Sequence, residues 1–172
     1  FVRPPCAFSA LLLEPALMTR CIVLPDPCYL EGAKEIAHRH GALLIFDEVK
    51  TGVTIAPGGA TERFGVQPDI VALAKAIGGG LPCGAIGGRE DVFALIEDKR
   101  VAQMGTFTGN PPTIAASKAT LTEILTPADY AHFAALAGAP ESRLPGPTPD
   151  YRLPPPLTPP RPVRPHGPRA QR

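Results

Sequence analysis

Three short apolar runs stand out along the chain, at Ala10–Leu13, at 42–46 and at Ile70–Ala74. Each run is four or five residues long and lacks the alternation of polar and apolar positions that marks a half-buried strand. Continuous apolar runs of this length are typical of strands covered on both faces, as in parallel sheets. We therefore predict three buried strands of a mainly parallel sheet.

The segment between the first two runs has the signals of a helix. Asp26 is suited to cap the helix and Pro27 to occupy its first position, while Gly41 is a stop signal. Apolar side chains fall on one face between these signals, namely Leu30, Ala33 and Ala37. A strand, a helix and a second strand in this order predict a parallel βαβ unit with a right-handed crossover. The predicted fold class is therefore α/β.

Beyond the third run, three glycines at 78–80 precede a short strand-like stretch at 83–86 and a predicted helix at 91–97. A last helix is predicted to begin after Asn110 and to end before Pro127. Because this last helix is mostly apolar, we expect it to be packed against the rest of the chain.

Composition separates the last 34 residues from the rest. Of the 23 prolines in the 172 residues, twelve lie at 139–172, together with six arginines and only two acidic residues. Such a segment is too polar and too restricted to form a packed core. We predict two parts, a partial domain at 1–138 and a disordered Pro/Arg-rich tail at 139–172.

Charge and hydropathy exclude two kinds of partner. Without the tail the chain has 11 basic and 14 acidic residues, a net charge of −3, so it offers no basic surface for nucleic acid. No apolar run approaches the roughly 18 residues of a membrane helix, and we predict a soluble, cytoplasmic protein without a membrane partner. The four cysteines form no CxxC pair, which predicts reduced thiols and no metal site. Because the chain begins with Phe1, we expect a fragment.

An ionisable side chain follows each apolar run, at Glu14, at Asp47 with Glu48, and at Lys75. Ligands bind beyond the carboxyl ends of the strands in open α/β sheets, so these side chains are candidates for a site. Taken singly, each has a simpler interpretation, because an acid after a strand is often a cap or turn residue and a lysine there is often only solvated.

An acid and a lysine at neighbouring strand ends suit an aldehyde cofactor. Partial burial destabilises a lysine ammonium, so that Lys75 can form a Schiff base with a carbonyl. Asp47 would keep a pyridine nitrogen protonated, and the ring would then act as an electron sink. The three glycines after Lys75 would let the backbone approach the ring and its phosphate.

A competing interpretation assigns Asp47 and Glu48 to magnesium, as on the acid-bearing strand of nucleotide hydrolases. The phosphate-binding partner of that strand, GxxxxGK[ST], is absent from the sequence, unless it lies upstream of Phe1. The dinucleotide motif GxGxxG is absent as well. The magnesium alternative stays open at this point.

Three motifs occur in order: ALLIFDEVKTG at 42–52, PDIVALAKAIGGGLP at 68–82 and GTFTGNP at 105–111. Together they resemble the class III pyridoxal-phosphate-dependent aminotransferases. The Gly-Gly-Ala at 58–60 and the form of the third motif are most similar to the glutamate-1-semialdehyde 2,1-aminomutase branch of that family. The resemblance implies a partial large domain of the fold type I PLP-dependent transferases, a mainly parallel sheet with flanking helices.

The resemblance also implies roles for four residues. Lys75 matches the Schiff-base lysine, which moves protons between substrate carbons and the cofactor. Asp47 matches the acid that pairs with the pyridine nitrogen, and Val49 matches the side chain packed on the ring face. Thr106 matches the threonine that contacts the phosphate of pyridoxal 5'-phosphate in the neighbouring subunit, although it is also placed to cap the helix that follows. A homodimer and a small amine or amino-acid substrate are implied as well.

The sequence departs from the family in places. Val53 and Thr54 follow the Thr-Gly where members often have an aromatic residue and an arginine, and the upstream phosphate loop and the carboxyl-terminal small domain have no counterpart. We expect transfer of an amino group between neighbouring carbons of one substrate. Another class III transaminase activity and a non-catalytic remnant are the alternatives.

Overall fold

The structure is a computed structural model that describes residues 8–19 and 22–137. Within these ranges the chain forms a four-stranded sheet and six α-helices. The disordered tail predicted at 139–172 and the domain boundary predicted at residue 138 lie outside the described residues, so both stay predictions.

The three apolar runs form the first three strands of the sheet, β1 (Ala10–Leu13), β2 (Leu43–Asp47) and β3 (Ile70–Ala74), and these strands are parallel. β4 (Gly84–Gly88) pairs antiparallel with β3, and the strand order is β1-β2-β3-β4. The predicted α/β class and mainly parallel sheet are confirmed. The fourth strand runs two residues beyond the stretch predicted at 83–86.

Helices occupy the connections between the strands. α1 (Tyr29–Arg39) links β1 to β2, and α2 (Gly52–Ile55) and α3 (Gly59–Phe64) lie between β2 and β3. Three helices follow β4, namely α4 (Glu90–Glu97), α5 (Pro111–Ala119) and α6 (Pro127–Ala137). α5 continues as a π-helical turn, Thr120–Ile124.

The buried core lies between α1 and β2. Leu30, Leu44, Phe46 and Val66 form one buried cluster. Full burial of a side chain of this size contributes about 1.5–3 kcal/mol to stability. Because Leu44 and Phe46 alternate with half-buried residues along β2, this strand anchors the sheet to α1.

α1 begins at Tyr29, two residues beyond the first helical position predicted at Pro27. Cys28 precedes the helix with a φ of 63°, and the Asp26 carbonyl accepts a hydrogen bond from the Tyr29 amide at 3.1 Å. The chain therefore completes a turn before the helix starts. The predicted stop is confirmed, because Gly41 has a φ of 70° and follows the last turn of α1.

Two predictions about burial are wrong. Leu12 in β1 is 62% exposed, so the described residues do not cover β1 on both faces. Large apolar side chains of α5 and the π-helical turn are exposed, namely Ile114, Leu121 and Ile124. Pro127, predicted to end the last helix, begins α6 instead, since the fixed φ of proline suits a first helical turn.

Asp69 links the amino end of β3 to the amino end of β2 and to the residue that follows β4. It is 2% exposed and lies directly before β3. Its Oδ2 accepts a hydrogen bond from the Leu44 amide at 2.7 Å and lies 2.8 Å from His38 Nε2, and its Oδ1 accepts from Arg89 Nη1 at 2.8 Å. Burial alone would raise the pKa of this carboxyl, but the hydrogen bonds to it, above all that from Arg89, lower the pKa to about 2. The carboxylate is therefore charged at neutral pH.

Candidate active site

The carboxyl ends of β1, β2 and β3 bring three ionisable residues to one edge of the sheet. Glu14 follows β1 and is level with Asp47 in the register of β1 and β2. Asp47, the last residue of β2, is paired with Ala72 of β3. Lys75 comes directly after β3. The acid and the lysine singled out in the sequence thus lie at the ends of adjacent parallel strands.

Asp47 is half-buried and lightly bonded. Its Oδ1 accepts a hydrogen bond from the Val49 amide at 3.0 Å, within the turn that follows β2. Among residues 8–19 and 22–137, no donor is hydrogen-bonded to Oδ2. Val49 is half-buried beside it. The carboxylate therefore keeps one oxygen for a further donor.

Lys75 opens a 3₁₀ turn, Lys75–Gly78, with a backbone φ of 51°. A side chain with a Cβ is disfavoured in this left-handed region by about 1–2 kcal/mol. The side chain is exposed, so the described residues do not supply the partial burial expected from the sequence. No acid in the described part of the chain forms an ion pair with Lys75.

Two of the three glycines after Lys75, Gly78 and Gly79, make room for protein, whereas the sequence predicted room for a cofactor. A Cβ on Gly79 would collide with Thr120 Oγ1 and lie 3.1 Å from the Ala116 carbonyl oxygen. A Cβ on Gly78 would lie 3.0 Å from Cys83 Cβ. These two glycines let the end of α5 and the residues before β4 pack against the 3₁₀ turn.

Glu48, the second acid of the Asp-Glu pair, is a structural residue. It is 1% exposed, and its Oε2 accepts from the Ala60 amide at 2.6 Å. Its Oε1 accepts from the Thr61 amide at 3.0 Å and the Thr61 hydroxyl at 2.8 Å. Glu48 therefore caps the start of α3. Because its oxygens are used inside the protein, this arrangement argues against the magnesium interpretation of Asp47 and Glu48.

Glu14 also accepts hydrogen bonds from residues close to it in the sequence. Its Oε2 accepts from the Met18 amide at 3.0 Å, and its Oε1 accepts from the Thr19 hydroxyl at 3.0 Å. The simpler interpretation of an acid after a strand, a turn residue, therefore fits Glu14. Its partners lie four and five residues along the chain, so a local sequence signal exists for this role.

Thr106 lies in an exposed turn before α5. It lines a cavity of about 480 Å³, whose lining residues do not include Asp47, Val49 or Lys75. The helix cap is Asn110, whose side chain accepts from the Thr113 amide at 3.3 Å, so Thr106 does not cap α5. Asp47, Val49 and Lys75 thus lie at or just beyond strand ends at one edge of the sheet, whereas Thr106 lines a cavity that includes Gly84, the partner of Ala74 at the end of β3.

The described residues contain neither a metal-binding cluster nor a membrane-spanning helix. No group of three or more His, Cys, Asp or Glu side chains in these ranges could hold a metal ion. Nor does any helix there combine the length and the hydropathy needed to cross a membrane. The thiols of Cys28 and Cys83 are free.

The family model described as "Aminotransferase class-III" matches residues 6–141, well over half of the 172 residues. The chain belongs to the class III aminotransferases.

A curated relative is the glutamate-1-semialdehyde 2,1-aminomutase of Syntrophobacter fumaroxidans (strain DSM 10017 / MPOB). It is 52% identical over 114 residues, which cover 66% of this chain and 26% of the relative. The chain therefore spans about a quarter of the length of that relative.

Two solved structures show the same fold over about three quarters of the chain. The β-phenylalanine aminotransferase from Variovorax paradoxus matches with a TM-score of 0.69 and 39% identity, covering 74% of this chain and 30% of that protein. A glutamate-1-semialdehyde aminomutase from Pseudomonas aeruginosa PAO1, in complex with PMP, matches with a TM-score of 0.65 and 30% identity, covering 75% and 31%.

Proposed function

We propose that this chain carries the lysine-bearing part of a pyridoxal 5'-phosphate site, in a cytoplasmic enzyme of the glutamate-1-semialdehyde 2,1-aminomutase type. The observation that carries the proposal is the placement of Asp47 and Lys75 at the carboxyl ends of adjacent parallel strands. Membership of the class III family and the 52% identical aminomutase support it.

The chemistry of this edge fits the cofactor. The free oxygen of Asp47 can accept a hydrogen bond from a protonated pyridine nitrogen, and its negative charge favours that protonated form. The amine of Lys75 is exposed and forms no ion pair with a described acid, so an aldehyde can reach it. Asp47 therefore suits the ring nitrogen of a pyridine aldehyde, and Lys75 suits its aldehyde group.

The chain's own residues then have distinct tasks. When bound, the cofactor supplies an electron sink for the carbanion of an amine substrate. Asp47 holds the proton on the ring nitrogen. Lys75 would hold the cofactor through Nζ and, once a substrate amine had displaced it, would move protons between substrate carbons and the cofactor. Val49 offers an apolar surface to the ring beside Asp47.

We assign Thr106 to the cofactor phosphate of the neighbouring subunit in a homodimer. Its position in an exposed turn supports a role toward a second molecule. A hydroxyl donor suits a phosphate oxygen. Loss of the Thr106 hydroxyl should therefore weaken phosphate binding only in the dimer.

A second candidate is a transaminase that acts on a small amine or amino acid and passes its amino group to another molecule. The β-phenylalanine aminotransferase supports it, because its TM-score of 0.69 and identity of 39% exceed the 0.65 and 30% of the aminomutase structure. Incubation of the cofactor-loaded chain with amine or amino-acid donors separates the two. A transaminase releases one free carbonyl product per cofactor, whereas an aminomutase returns the amino group to the same substrate.

Borohydride trapping tests the lysine assignment. The chain is mixed with pyridoxal phosphate, reduced, digested and mapped by mass spectrometry, and we expect the cofactor on Lys75. The Lys75→Ala variant should lose this label. Lys50→Ala is the matched control, because Lys50 is exposed near the same strand end but donates to the Met18 carbonyl at 3.0 Å, and its loss should leave Lys75 labelling intact.

Equal labelling of the original chain and of Lys75→Ala would contradict the proposal. A folded chain that carries no label at any lysine would favour the non-catalytic remnant. Circular dichroism on the same samples separates that outcome from a chain that has not folded.

A further inference from the structure

We infer that Asp69 is a positioning residue, which sets the register of β2 against β3 and thereby the placement of Asp47 relative to Lys75. Asp69 lies at the amino ends of these strands, whereas both site residues follow from their carboxyl ends. The inference rests on the proposed function for its catalytic meaning. The register itself is a property of the fold and can be measured separately.

A single residue binds both backbone groups of Leu44. The Asp69 amide donates to the Leu44 carbonyl at 2.9 Å, and Asp69 Oδ2 accepts from the Leu44 amide at 2.7 Å. The carboxylate thus takes the place of a further backbone carbonyl, at the point where the chain enters β3. This contact precedes the first paired residues of the two strands, Ile45 and Ile70.

The β2–β3 ladder is short, so contacts at its ends have a large influence on its register. Only three residue pairs define it, and the last of them contains Asp47. Beyond that pair, the Glu48 amide donates to the Ala72 carbonyl at 2.9 Å. Leu44 and Glu48 are four residues apart, roughly 13 Å along an extended strand. The hydrogen bonds between Asp69 and Leu44 therefore close one end of the ladder, and the hydrogen bond between Glu48 and Ala72 closes the other.

The Asp69 carboxylate is itself held in place by two other elements. His38 Nε2, on α1, lies 2.8 Å from Oδ2, and Arg89 Nη1, next to β4, donates to Oδ1 at 2.8 Å. The Arg89 amide also donates to the Asp69 carbonyl at 3.0 Å. Because charge-assisted hydrogen bonds come from two directions, the oxygen that meets Leu44 cannot turn away freely.

A shift of register would disorganise the proposed site. Side chains alternate between faces along a strand, so a slip of one residue moves Asp47 to the opposite face relative to β3. Leu44 and Phe46, which are buried on one face, resist the same slip. Hydrophobic contacts are not directional, however, whereas the two bonds between Asp69 and Leu44 specify one pairing.

Hydrogen exchange at the far end of the ladder tests the inference without a cofactor. Asp69→Asn keeps the size of the side chain but replaces one accepting oxygen with an amide donor and removes the negative charge, so the donors on the two oxygens can no longer all be accepted. Leu30→Ala is the matched control, since it removes core packing but none of the groups that form hydrogen bonds with Asp69. Urea brings all chains to the same free energy of unfolding, and exchange of the Glu48 amide is then followed by NMR.

We expect the Glu48 amide to exchange at least tenfold faster in Asp69→Asn than in Leu30→Ala. Borohydride labelling of Lys75 per folded molecule should fall at least fivefold in Asp69→Asn and less than twofold in Leu30→Ala. If Asp69→Asn does not fold, Arg89→Ala removes one of the bonds that hold the carboxylate, and about threefold faster exchange is expected.

Equal exchange of the Glu48 amide in the variant and the control would overturn the inference. Faster exchange with unchanged Lys75 labelling would overturn the positioning role as well. If even the original chain takes no label, the proposed function fails, and the exchange rates alone then decide whether Asp69 sets the register.

Discussion

The two ends of the β2–β3 pair are built differently. At the amino end, Asp69 is 2% exposed and its carboxylate meets three partners. At the carboxyl end, Asp47 accepts a single described hydrogen bond, and Lys75 is exposed in a strained backbone conformation. Each end thus contains an acid and a basic residue. At the amino end they are hydrogen-bonded to each other, whereas at the carboxyl end Asp47 and Lys75 form no described hydrogen bond to each other.

The difference separates charges that hold the fold from charges available to a ligand. A buried carboxylate with its hydrogen bonds satisfied stabilises the fold, and removing one partner leaves costly unpaired groups. A half-buried carboxylate with a free oxygen contributes less and can bind something else. Strain at a lysine with a φ of 51° fits the same division, because strained residues cluster at functional sites.

The largest expected effect comes from Asp69→Ala. It leaves the buried Leu44 amide without its acceptor and removes the anion between Arg89 and His38. The free energy of unfolding should fall by about 3 kcal/mol, whereas Lys75→Ala should change it by less than about 0.5 kcal/mol. Urea unfolding followed by circular dichroism measures both. Similar losses in the two variants would erase the contrast between the ends.

Lowering the pH should gradually remove the stabilisation that the ionised Asp69 carboxylate provides. The pKa of Asp69 is lowered from 3.8 to about 2, so its stabilising effect is complete above about pH 4 and is lost as the pH falls toward 2. A shift of this size corresponds to about 2 kcal/mol. Urea unfolding at intervals from about pH 5 to about pH 2 should show the original chain and Asp69→Asn converging. A difference that stays constant over this range would show that the charge of Asp69 is unimportant.

The smallest effect is expected at Lys75, and it should be a gain. Glycine tolerates a positive φ, so Lys75→Gly should raise the free energy of unfolding by about 0.5–1 kcal/mol relative to Lys75→Ala, which keeps the strain. Both variants should lose borohydride labelling. Thermal unfolding compares their stabilities, and a glycine variant less stable than the alanine variant would rule out strain at this position.

Most of the sheet could be predicted from the sequence because continuous apolar runs mark its strands, even though side chains of β1 are exposed among the described residues. The runs at Ala10–Leu13 and Ile70–Ala74 match β1 and β3 residue for residue. β4 contains three glycines among its five residues, so apolar pattern alone could not give its antiparallel direction. The late start of α1 depends on the φ of Cys28, for which that residue type gives no signal.

The candidate site could be predicted in part. Asp47 and Lys75 directly follow apolar runs, so their placement at the strand ends came from local sequence. The role of Asp69 could not, because His38 is 31 residues away and Arg89 is 20 residues away. Contacts between such distant residues follow from the sheet order, which leaves no mark in the local sequence.

The affinities of Asp47→Asn and Glu14→Gln for pyridoxal phosphate test whether this edge of the sheet binds the cofactor. The two acids are level at the ends of neighbouring strands, but both oxygens of Glu14 are bonded within its own turn. Titration by visible absorbance should show binding at least tenfold weaker in Asp47→Asn and unchanged in Glu14→Gln. Equal affinities in the two variants would contradict the assignment of this edge to the cofactor.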